Sequence, residues 1–259
     1  MTAVAGFGYE VALLGRRSWR RFYRVPANFL GIVLFPLIQL FVFSQLYQGI
    51  TALPGFGGGG SYLAYLAPGQ IVFAAVFATA WSGTNLVVDI NTGYLDKLRA
   101  TPVHRFAILA GELIPLFLES ALMAGCILVL AVLMGAPLVT GVPGLVLILF
   151  LSGSLGVAWA GTSYVPALLT KSEQATGTLS ILAFPIAFMS TAFVPRLLMP
   201  EWIQVLNDWN PLTYVIEAIR PLMITGYDWP AFGRALVAVG LLGVVLHSVS
   251  MWAFRRLTD

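Results

Sequence analysis

The 64 residues that separate Arg24 from Asp89 include no Asp, Glu, Lys or Arg. A water-soluble surface cannot be built on such a run, because about a quarter of the residues in typical soluble domains are charged. Here 10% are charged and 59% hydrophobic in a chain of 259, with a mean hydropathy of +0.88. Three further charge-free runs cover 120–170, 174–195 and 235–254. A helix that crosses a bilayer needs about 20 mostly apolar residues. The first run fits two crossings and a turn, the second most of one crossing, a turn and another, and the last two one each.

The expected fold is therefore an all-α membrane protein with six transmembrane helices. The expected spans are Phe29–Tyr47, Leu66–Val88, Ile108–Met134, Gly144–Val165, Gly177–Val194 and Ala235–Phe254. In lipid the backbone must satisfy its own hydrogen bonds, which favours helices. Alternating strands of about ten residues, the mark of a membrane β-barrel, are not seen. Pro36, Pro115 and Pro185 fall inside spans and predict kinks. The expected organisation is one transmembrane domain over 1–259. Residues 1–28 form a cytoplasmic interfacial helix, 29–254 the bundle and 255–259 a cytoplasmic tail.

Cation placement sets the orientation. With the N-terminus inside, the inner segments hold 11 of the 14 Lys and Arg residues. Only Arg196, Arg220 and Arg234 fall outside, so both termini are expected in the cytoplasm. The start does not read as a cleavable signal, because five arginines precede the first apolar run and no small-residue cleavage site follows a short apolar core. Cys126 is the single cysteine, so no intrachain disulfide can form. His104 and His247 are too isolated to suggest a metal site.

Residues 15–26 read GRRSWRRFYRVP. On a helical wheel Arg16, Arg17, Arg20, Arg21 and Arg24 gather on one arc, while Trp19, Phe22, Tyr23 and Val11 fall largely on the other. This pattern predicts an interfacial helix with its arginines toward lipid phosphates and cytosol. Residues 195–234 carry Trp202, Trp209, Tyr214, Tyr227 and Trp229. Aromatics at that density suit a membrane interface, as short helices lying at or dipping into the outer surface before the last span.

The segment between spans 2 and 3 reads DINTGYLDKLRATPVHR, residues 89–105. It is long for a turn. Leu95 and Leu98 are spaced to share a helix face, and Pro102 would end that helix. The segment fits either a short amphipathic helix that docks on a soluble partner or a plain basic loop. Gly93, then Leu95-Asp96-Lys97-Leu98-Arg99-Ala100-Thr101-Pro102-Val103, then Arg105, resembles the signature of type-2 ABC exporter permeases. The likeness is closest to the daunorubicin-resistance type of drug-efflux permease. Arg24-Val25-Pro26, Leu66-Ala67-Pro68-Gly69 and Asn210-Pro211-Leu212-Thr213 are similar to that group, as are Glu217, Arg220 and Gly226.

The resemblance implies a permease that dimerises and binds two cytosolic ABC ATPase subunits. Its coupling helix would map to Asp89–Arg105, Asp96 included, with Tyr94, Leu95 and Leu98 packing and Lys97 and Arg99 as polar contacts. Its connecting helix would map to about Phe7–Arg24, and its short outer helices to about Pro200–Ile224. No glycine-rich run ends in Gly-Lys-Ser or Gly-Lys-Thr, so a phosphate-binding loop is absent. The chain is thus expected to be no enzyme and to carry no cofactor, with ATP and Mg bound by the partner ATPase. The implied cargo is a hydrophobic drug-like or lipid-like molecule. Polysaccharide or teichoic-acid export is the near rival.

Glu112 and Glu119 lie seven residues apart on span 3, on a similar face. Ionisable groups within a membrane are candidates for a transport path. Glu119 is the deeper of the two, and an ion-coupled carrier would use it as its proton site. Glu217 and Arg220 are three apart, which fits an ion pair or a gate at the outer exit. Gly153, Gly156 and Gly161 would permit close helix packing.

Overall fold

The computed structural model describes the chain except residues 1–5, 25, 54–55, 57–60, 95–96, 98–104, 182–183 and 259. Among the described residues every regular element is helical. The elements are α1 (Phe7–Arg24), α2 (Pro26–Leu46), α3 (Tyr62–Thr79), α4 (Ser82–Asn91), α5 (Arg105–Leu133) and α6 (Gly141–Thr170). They continue with α7 (Glu173–Ile181), α8 (Phe184–Phe188), α9 (Glu201–Asp208), α10 (Pro211–Ile224) and α11 (Trp229–Thr258). Among the described residues four stretches are long and apolar enough to cross a membrane: Tyr62–Asn91, Gly111–Leu133, Gly141–Thr170 and Trp229–Arg256. Gly31–Leu46 within α2 is a shorter apolar helix.

Helix α6 is the axis of the bundle and packs against α3, α4, α5, α7 and α11. Small residues bring its neighbours close. A Cβ on Gly153 would overlap the ring of Phe117, and one on Gly156 would overlap Ser120 Oγ on α5. On the other side a Cβ on Gly161 would meet Leu246 Cβ of α11 at 2.5 Å. The glycines at 153–161 therefore serve the close packing that their spacing predicts.

The expected span 2 is interrupted. Helix α3 ends at Thr79, and α4 begins two residues after Ala80, at Ser82. Gly83 lies against Ser163 of α6, whose Oγ accepts the Gly83 N–H at 2.9 Å, so the break costs no unmade bond there.

The expected span 5, Gly177–Val194, is not one helix. Helix is described over Glu173–Ile181 and Phe184–Phe188, on either side of residues 182–183, and residues 189–194 are irregular. The described helix ends at Phe188, short of the expected Val194, and a hydropathy count sees only that the apolar run continues.

Candidate functional site

Two clusters of polar side chains occupy opposite ends of the bundle. At the first, α1 lies across the start of α5. Gly15 makes this possible, because a Cβ there would stand 3.0 Å from the Gly111 carbonyl oxygen and 3.7 Å from Pro115 Cδ. Leu14 packs against a small apolar cluster that includes Leu86 of α4, Leu116 of α5, Tyr164 of α6 and Phe254 of α11. Helix α1 is therefore seated chiefly on α5.

One arginine leaves the expected arc. Arg17 turns inward and donates from Nη1 and Nη2 to the two carboxylate oxygens of Asp89, both at 2.9 Å. Its guanidinium also lies over the Tyr94 ring, 3.6 Å from the centroid. Hydrogen bonding to Asp89 pushes the Arg17 guanidinium above its ordinary range, against the opposing effect of burial. Fork-to-fork pairing of this kind fixes direction as well as distance. Arg16 and Arg20 are exposed, and Trp19 is half-buried. The side chains of Arg21 and Arg24 lie outside the described residues.

Asp89 sits near the C-terminus of α4, and the chain turns directly after it. Thr92 Oγ1 donates to the Val88 carbonyl at 2.8 Å, and Gly93 adopts φ +67°, a left-handed conformation that glycine takes without strain. Tyr94 is half-buried and Lys97 exposed, with the Lys97 N–H on the Gly93 carbonyl at 3.2 Å. Leu95, Asp96, Leu98, Arg99 and Pro102 lie outside the described residues, as does the side chain of Arg105. Glu112 is half-buried about two turns into α5, and its charge adds to the field that raises the Arg17 pKa.

Glu119 lies two turns deeper on α5, half-buried. Among the described residues no donor reaches its carboxylate. Its neighbour Ser120 is fully buried and donates to the Ala75 carbonyl of α3 at 2.9 Å.

At the opposite end the broken helix is held by side chains. The Ile186 carbonyl accepts from Asn210 Nδ2 at 2.6 Å, and the Met189 carbonyl from Asn207 Nδ2 at 2.9 Å. The Thr191 carbonyl accepts from Tyr65 Oη at 2.9 Å and from Arg220 Nη2 at 2.8 Å. The Phe193 carbonyl accepts from Tyr62 Oη at 3.1 Å. Five side chains from α3, α9, α10 and the turn before α10 thus replace the hydrogen bonds that a continuous helix would have made. Non-helical backbone at membrane depth is tolerated on that condition.

Arg220 accordingly makes no ion pair with Glu217. It stacks over the Tyr65 ring at 4.1 Å instead, and Glu217 is half-buried one turn before it on α10. The C-terminal carbonyls of α10 are also covered, Leu222 by Thr140 Oγ1 at 2.6 Å and Met223 by the Val139 N–H at 3.0 Å. Tyr62, Tyr65 and Asn207 carry no signal in the sequence as clamp residues, because the groups they hold are backbone carbonyls.

The ABC-2 type transporter family model matches residues 9–224, which takes in both clusters and every helix but the last. The chain belongs to the ABC-2 type transporter family. It is 32% identical over 232 residues to the daunorubicin resistance ABC transporter permease protein DrrB1 of Streptomyces coeruleorubidus, covering 88% of this chain and 80% of that one. It is 28% identical to nodulation protein J of Rhizobium leguminosarum bv. trifolii over 233 residues, or 86% and 85% of the two chains. It is 26% identical to the inner membrane transport permease YhhJ of Escherichia coli over 188 residues, 70% of this chain and 48% of that one. As a member of this family the chain is a multi-pass membrane subunit of an ABC transporter, and the ATPase that works with it is a separate chain.

Proposed function

We propose that this ABC-2 permease exports a hydrophobic drug-like or lipid-like substrate from the cytoplasm or inner leaflet by alternating access. Two copies, or this chain and a related one, form the path, and two cytosolic ATPase chains that bind ATP and Mg drive it. Both termini face the cytoplasm of a bacterial cell. The observation that carries the reading is the Arg17–Asp89 pair with Tyr94 stacked on it. It ties α1, the end of α4 and the first residues of the 89–105 motif into one unit at the end where an ATPase would dock. A motion delivered to that motif then reaches the bundle through a directed contact, as a switching element requires.

Glu119 is a candidate lining residue, supported by a carboxylate that no described side chain satisfies. The clamped segment 189–194, with Arg220 on it and Glu217 a turn away, would close the outer end. The drug-like cargo is favoured over polysaccharide by the relative named for daunorubicin resistance.

The test is mild-detergent purification of the tagged chain from its native host, with mass spectrometry of what accompanies it. Stoichiometric recovery of an ATPase chain is expected, together with loss of that chain and of ATPase activity in Leu98→Asp, where a charge replaces an apolar contact. A stable chain that transports without any ATPase, with a proton dependence abolished by Glu119→Gln, would overturn the reading in favour of an ion-coupled carrier.

A further inference from the structure

The outward side of α1 is a stripe of four residues. Tyr9, Leu13, Arg16 and Arg20 fall within an arc of about 60° on the helix, and all four are exposed, Tyr9 at 65% and Leu13 at 55%. The inward side holds Glu10, Leu14, Gly15 and Arg17. The stripe therefore combines two apolar side chains with two arginines that have no carboxylate partner among the described residues. Trp252 and Arg256 of α11 repeat the pattern at the same end of the bundle, with the guanidinium 4.0 Å over the ring.

We infer that the stripe binds the headgroups of anionic phospholipids in the inner leaflet, and that Arg17 converts this binding into a fixed position of the coupling segment. The charge complementarity is direct. Exposed arginines on an interfacial helix meet phosphate, while a tyrosine and a leucine on the same arc reach into the acyl boundary. Arg17 stands between Arg16 and Arg20 in sequence but faces Asp89 and Tyr94. Any change in the tilt of α1 on the membrane is therefore carried to the end of α4 and the turn at Gly93. Arg17 is a positioning residue in this account, and the part that concerns ATPase coupling rests on the proposed function above.

Two measurements test the inference independently. In the first, the full permease alone in detergent is offered phosphatidylglycerol or phosphatidylcholine, and retained lipid is counted by native mass spectrometry. Wild type retains phosphatidylglycerol preferentially, on the order of tenfold for two surface arginines. Arg16→Gln/Arg20→Gln loses the preference, and Arg16→Lys/Arg20→Lys, which keeps the charge, retains it. Equal retention of both lipids by wild type, or an unchanged preference in the Gln variant, overturns the inference whether or not any ATPase exists.

In the second, the complex with its ATPase is placed in nanodiscs of phosphatidylcholine with increasing phosphatidylglycerol. The ATPase rate of wild type rises several-fold. Arg17→Gln still retains phosphatidylglycerol, but its rate no longer responds to it. A response in Arg17→Gln equal to wild type overturns the transmission step. Loss of the ATPase chain from Arg16→Gln/Arg20→Gln with lipid retention unchanged would make the stripe an ATPase dock and overturn the lipid assignment.

Discussion

The guanidinium of Arg220 lies 4.1 Å over the ring of Tyr65, and both side chains donate to the same Thr191 carbonyl oxygen. A single backbone carbonyl in the irregular segment after α8 thus joins α3 to α10. Tyr65→Phe keeps the ring and removes one donor, so a loss of about 0.5–1.5 kcal/mol is expected. Arg220→Gln removes the cation as well and is expected to cost more. Because the two share an acceptor and a stacking contact, their effects should not add, with a coupling of about 0.5–3 kcal/mol in the double variant. Thermal unfolding in detergent, followed by size-exclusion recovery, measures it. Additive losses would mean that the two residues act separately.

Gly69 is the tightest approach in the same region. A Cβ there would lie 2.5 Å from Ala192 Cα and carbonyl oxygen, which are backbone atoms and cannot rotate away. Gly69→Ala should therefore displace the 189–194 segment and lower folded yield severely, although alanine is the better helix former. Gly125→Ala on α5 is the control, since its Cβ would meet only Leu149 Cδ2 at an ordinary 3.5 Å. Equal yields for the two variants would show that 189–194 has room to move.

Asn210 does two jobs with one amide. Its Oδ1 caps α10 by accepting the Leu212 N–H at 3.0 Å, while its Nδ2 donates to the Ile186 carbonyl. Asn210→Ser should keep most of the cap and lose the donor, and Asn210→Ala should lose both. A cap alone is worth about 0.5–2 kcal/mol, so Asn210→Ala should unfold several degrees below Asn210→Ser in a thermal melt. Coincident melts would mean that the carbonyl contact, not the cap, carries the whole effect.

The charge-free runs told where apolar helices lie because the cost of a buried charge is large and local. They told less about helix ends. Gly141–Thr170 is longer at both ends than the expected Gly144–Val165, since lateral packing, and not hydropathy alone, sustains its last turns. The end of helix at Phe188, six residues short of the expected Val194, was not visible in the apolar run. What lets the chain leave the helix altogether is Asn207, Asn210, Tyr62, Tyr65 and Arg220 arriving from distant segments, and pairing to backbone carbonyls has no sequence signature. Arg17 was legible as one of five arginines on a helix. Its inward turn was not, because that depends on Gly15 letting α1 settle against Gly111, close beside Asp89.

The Arg17–Asp89 pair can be tested by exchange. Asp89→Arg leaves two guanidiniums facing each other beside Tyr94, and Arg17→Asp leaves two carboxylates. Each should lower recovery of the ATPase chain and the ATPase rate, because hydrogen bonds to charged groups contribute about 1.5–3 kcal/mol and like charges add repulsion. The double exchange, Arg17→Asp with Asp89→Arg, restores opposite charges at the same positions and should recover part of the rate. It should not recover all of it, since the guanidinium would then start from α4 and no longer lie over the Tyr94 ring. Asp89→Asn keeps the shape and removes the charge, and should fall between wild type and Asp89→Arg. The ATPase rate of the purified complex reads all four variants. A double exchange no better than either single variant would mean that the pair is not what positions the coupling segment.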